Sequence, residues 1–127
     1  MQTITSQRLR QHLDQITTST VRSAYLREDA NGTTLVLPNI LAGQHWSPEV
    51  FDVEIPLPTN YPAVAPRCFL IPAGASWRNV PAATTTDACQ EQDADWLRVP
   101  FALPRWSATN STFQTLLTAI RRYLAQP

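Results

Sequence analysis

The chain contains no lysine: its ten basic residues are all arginine, at positions 8, 10, 22, 27, 67, 78, 98, 105, 121 and 122. They balance ten acidic residues to a formal charge of zero, so there is no net-charge case for nucleic acid or an anionic membrane surface as a partner. Glycine is scarce, with three in 127 residues, and no Gly-rich phosphate loop can be drawn from them. No apolar run approaches the roughly 18 residues of a membrane span. The N-terminal "MQTITSQRLR" lacks the apolar core of a signal peptide. Two cysteines and two histidines, at spacings that match no zinc pattern, imply no metal, and no cofactor is implied. With no export signal and so little cysteine, the expectation is a cytoplasmic protein with free thiols, a single Cys68–Cys89 disulfide being the alternative.

Proline, by contrast, is concentrated. In "FDVEIPLPTNYPAVAP" a strand pattern, with Phe51, Val53 and Ile55 facing one way and Asp52 and Glu54 the other, runs into four prolines. Proline removes a ladder donor and fixes φ near −65°, yet strand character resumes at once in "RCFLI", residues 67–71. Upstream, Leu9, Leu13 and Ile16 recur at helical spacing behind Thr5 or Ser6 as a cap, predicting a helix over 5–18. Strands are expected over 20–28 and 33–38, separated by the turn signal "DANG". From Pro72 to Pro104 the periodicity lapses into a polar stretch that reads as one long functional loop. The last helix is marked by Phe113, Leu116, Leu117, Ile120 and Leu124, with Asn110 or Ser111 as its cap. The sum is one α+β domain over 1–127: an N-terminal helix, a four-stranded antiparallel meander, a long loop and a C-terminal helix.

Tyr61-Pro62 followed by Pro66, placed after a meander, resembles the proline-rich connection between the third and fourth strands of ubiquitin-conjugating enzymes. "RLRQHLDQI" is similar to that family's opening helix, with Gln11 and His12 where a basic and an acidic residue are usual. "RWSATNSTFQTLLTAI" resembles its Trp-Ser/Thr start of the second long helix, with Trp106 as the anchor. Cys89 falls 27 residues after Pro62, near the family's catalytic cysteine, and Asn79 near the Asn of its His-Pro-Asn triplet, which here reads Trp77-Arg78-Asn79. The longer segment from Cys89 to Trp106 and the single helix after it look most like the compact bacterial relatives encoded in antiphage ubiquitin-like conjugation operons.

The resemblance implies a UBC-like fold in which the Tyr61 ring packs under the sheet and a stiff proline segment holds an active-site loop. It implies a thioester carried on Cys89 and partners in a ubiquitin-like protein, an activating enzyme and a protein target. The charge balance and short apolar runs already argue against nucleic acid or a membrane as partner. Arg8 and Arg10 would meet the activating enzyme; on helix faces such charges are ordinarily only solvated. Cysteine suits acyl transfer because its thiolate is both a strong nucleophile and a good leaving group. Cys68, in an apolar strand, reads as an inert small hydrophobe. Asp87 and Asp93 flank Cys89, with Glu91 and Asp95 near. Such charges raise a thiol pKa, unlike the electropositive setting of a redox cysteine, but can orient and deprotonate an incoming amine; the alternative is a solvated acidic loop. Asn79 is either an oxyanion donor or a turn former. The missing lysines fit a carrier that must not acylate itself, and equally an arginine-favouring codon usage. The rival function is an inactive interaction module of the UBC/RWD type.

Overall fold

A computed structural model describes residues 4–19, 21–30, 32–82, 90–91 and 95–127. The first helix, α1 (Ile4–Ser19), buries the stripe its spacing predicts: Ile16 completely, Leu9 and Leu13 in part. His12 falls on the same stripe and is 6% exposed. The helix closes with the Val21 N–H donating to the Ile16 carbonyl at 2.8 Å. Val21 and Ala24 are buried there as a turn, which is why the first strand, β1 (Tyr25–Asp29), starts five residues later than the pattern at 20–28 suggested.

β1 pairs antiparallel with β2 (Gly32–Leu41), and Gly32, at φ +125°, supplies the left-handed backbone their connection needs. β2 passes beyond its expected stop at Pro38. The register shifts between Leu37 and Ile40, where Asn39 is left-handed and its N–H donates to Asp52 Oδ1 at 2.9 Å. The irregularity absorbs the proline, as bulges do.

After the short β3 (Trp46–Ser47) comes β4 (Val50–Leu57), whose Val53 and Ile55 are fully buried as the alternation requires. β5 (Cys68–Pro72) follows the proline segment. Strands β1, β2, β4 and β5 form the expected antiparallel meander. The long loop over 72–104 does not hold as one element. It contains β6 (Ser76–Trp77), β7 (Val80–Pro81), β8 (Gln90–Glu91) and β9 (Trp96–Pro100). β9 pairs with β5 along its length, Cys68↔Pro100 to Pro72↔Trp96, and sends Leu97 and Val99 into the core. The sheet is therefore six-stranded, β1-β2-β4-β5-β9-β8, beside a small β3-β6-β7 sheet. Five residues alternating inward and outward were too few to announce β9 from within polar surroundings.

The last helix, α2 (Phe113–Ala125), buries its five-residue apolar stripe. At about 1.5–3 kcal/mol for each large side chain removed from water, that stripe dominates its docking. Its cap is Thr112 rather than Asn110 or Ser111: Thr112 and Thr115 form a reciprocal capping box. Ser111 is occupied one step earlier, its Oγ accepting the Ser107 N–H at 2.8 Å. The core fills the space between one face of the sheet and the two helices. No described helix is long and apolar enough to cross a membrane.

Candidate functional site

Three segments far apart in sequence meet at one end of the core. Tyr61 is 1% exposed, and its hydroxyl is hydrogen-bonded to His12 Nδ1 at 2.9 Å. The His12 ring stands edge-on to both Tyr61 and Phe113, with centroids 5.7 and 5.4 Å away. Tyr61 also packs on Trp106 and Phe113 at 5.7 and 5.6 Å. The Tyr61 ring thus lies among the helices and the Trp106 loop. The Trp106 indole N–H donates to the Pro62 carbonyl at 2.8 Å, across a Tyr61–Pro62 peptide that is cis. Arg8, half-buried, donates from Nη2 to the Ala108 carbonyl at 2.7 Å. Pro62 and Pro66 are both buried.

Burial and then the nearby Arg8 charge hold the His12 pKa below its ordinary value, since both disfavour the imidazolium. Burial, only partly opposed by Arg8, pushes the Tyr61 phenol well up. Both side chains are neutral at pH 7, as suits a buried hydrogen-bonded pair.

The described residues on either side of 83–89 are held by backbone pairing. Upstream, the Ala82 N–H donates to the Ala75 carbonyl at 2.9 Å, and both alanines are fully buried. Downstream, Gln90 and Glu91 pair with Arg98 and Leu97 at the sheet edge. Cys89, Asp87 and Asp93 themselves lie outside the described residues. Asn79 is described: it is exposed and sits with Arg78 at the tip of the β6–β7 hairpin. Both have positive φ, 51° and 68°, the signature of a two-residue I′ turn. Arg78 stacks over Trp77, with Cζ 4.5 Å from the ring centroid, and its N–H donates to the His45 carbonyl.

Cys68 is a free, half-buried thiol. Burial raises its pKa against a smaller opposing pull from Arg98, so little of it is thiolate at neutral pH. Arg10, exposed on α1, lines a shallow groove with Leu13, Asp14, Tyr25, Leu26 and Glu28. No group of three or more potential metal ligands occurs among the described residues.

His12 was the residue sequence reasoning undervalued. Its place three residues after Leu9 and four before Ile16 was the available signal. Trp46, whose indole N–H donates to the Leu124 carbonyl at 2.8 Å, gave none, because its partner is 78 residues away. No protein-family model, curated protein or solved structure matches the chain.

Proposed function

We propose that the chain is a conjugating acyltransferase of the ubiquitin-conjugating type, with Cys89 as the acyl carrier. The observation that carries the proposal is the junction of α1, the Tyr61-Pro62 turn and Trp106. Three of the segments on which the resemblance rests pack into one hydrogen-bonded cluster.

In the first step the Cys89 thiolate attacks the thioester carbonyl of a ubiquitin-like protein held on its activating enzyme. A new C–S bond forms, the old one breaks, and the departing thiolate takes up a proton. In the second an amine of the target attacks the Cys89 thioester. The C–N bond forms, the amine proton passes to a nearby carboxylate or water, and the Cys89 thiolate leaves. Asp87 and Asp93 are the proposed carboxylates and Asn79 the proposed oxyanion donor. Arg8 and Arg10 are proposed to face the activating enzyme, although one Arg8 donor is already used within the fold. Sequence resemblance alone suggests antiphage defence as the setting, in the cytoplasm of a bacterium.

The half-burial of Cys68 within β5, where it pairs with Pro100 of β9, counts against Cys68 as carrier. One observation favours a second reading, an inactive interaction module: the left-handed backbone at Asn79 is fully accounted for by its hairpin turn. Incubation with a cognate activating enzyme, ATP and the ubiquitin-like protein separates the two. A thiol-sensitive adduct lost in Cys89→Ala and retained in Cys68→Ala supports the carrier; binding without an adduct supports the module.

A further inference from the structure

Charge is segregated along this neutral chain. The last acidic residue is Asp95, and residues 96–127 carry only Arg98, Arg105, Arg121 and Arg122. Two of these arginines border a groove of about 410 Å³ between the loop at 102–106 and the outer side of α2. Leu103, Trp106 and Ala119, each half-buried, give it an apolar surface beside Thr112, Thr115 and Thr118, and the exposed Arg105 and Arg122 also line it. No acidic side chain lines it. Neither guanidinium has an ion-pair partner among the described residues.

From this we infer that the groove docks an acidic, leucine-containing peptide segment of a partner protein. The apolar surface takes an aliphatic side chain, and the two arginines take carboxylates flanking it. A guanidinium suits this role because its planar fork matches a carboxylate edge. An apolar surface with cationic neighbours selects against basic peptides, which meet only repulsion. Nucleic acid would need a longer cationic track and stacking rings, whereas only Trp106 is available here and its indole N–H is already committed to Pro62.

Fluorescence anisotropy with a labelled peptide alternating glutamate and leucine tests the inference on the full chain. Saturable binding that weakens with salt is expected. Arg105→Gln and Arg122→Gln should each weaken it about threefold and together about tenfold. Both side chains are exposed, so circular dichroism should be unchanged. Ala119→Glu, which sets a carboxylate in the groove, should abolish binding. The inference is overturned by no saturable binding up to about 1 mM, by equal affinity for the lysine–leucine counterpart, by indifference to the arginine pair, or by poly(U) RNA binding more tightly than the peptide.

Discussion

Tyr61→Phe removes a single oxygen from the junction and leaves the ring stack in place. What it takes away is the partner of His12 Nδ1, 2.9 Å distant in a residue only 6% exposed. A buried polar group left without a partner costs about 1–3 kcal/mol. With both residues inside the core we take about 2 kcal/mol. Unfolding entropy near 2.1 cal/mol/K per residue over this chain length makes that a fall in Tm of about 7 °C. Differential scanning calorimetry of wild type, Tyr61→Phe, His12→Leu and the double variant closes a thermodynamic cycle. The two changes should be sub-additive by about 1 kcal/mol or more, because the second removes a group that the first has already orphaned. A fall below about 1 °C for Tyr61→Phe, or strict additivity, would refute the claim that this bond ties α1 to the proline segment.

The same pair sets a pH dependence. His12 has its pKa lowered in the folded state, so its contribution is full above the ordinary value of about 6.5 and is lost as pH falls toward the lowered one. Urea midpoints should therefore decline from pH 7 to 5, and His12→Leu should flatten that decline. Thr112→Ala removes the side chain that caps α2 and should cost about 1 kcal/mol in urea unfolding. Arg27 grips Glu54 through two bonds of 2.9 and 3.0 Å, and the Glu54 side chain is 11% exposed. Arg27→Met should cost about 1–2 kcal/mol by leaving that carboxylate without its donors. Arg27→Met/Glu54→Met should recover much of the loss, and equal losses in the single and double variants would contradict the assignment.

Both helices and β4 were legible in the sequence because each carries enough apolar residues at one period to outvote its exceptions. Phe113 through Leu124 completes three turns of stripe, and Phe51 through Leu57 alternates without a break. β9 has only Leu97 and Val99 to declare it, and pairing with β5 is what makes it a strand. The start of β1 and the end of β2 were misplaced where tertiary contacts decide: Val21 and Ala24 are buried in the turn that follows α1, and Asp52 captures the Asn39 N–H. Cap choice at α2 turned on hydroxyls competing within one loop, Ser107 and Ser111 serving the turn and Thr112 the helix. For the candidate site, sequence named Arg8, Tyr61, Pro62 and Trp106, and the structure joins these to His12. Asn79 and Arg10 lie elsewhere, and Cys89, Asp87 and Asp93 fall outside the described residues. Trp106 reaching Pro62 across 44 residues is a long-range bond that no local period encodes. The His12 contact was hidden by its residue type, since a histidine in an apolar stripe reads as a polar interruption until its partner is seen.

The most direct test of the carrier proposal maps the attachment point after a single round of loading. Peptide mass mapping under acidic, thiol-free conditions should find the ubiquitin-like C-terminus as a thioester on the peptide containing Cys89, and an unmodified Cys68. Loading on Cys68, or an unmodified chain under conditions that fully charge the activating enzyme, would contradict the account and leave a recognition scaffold in its place.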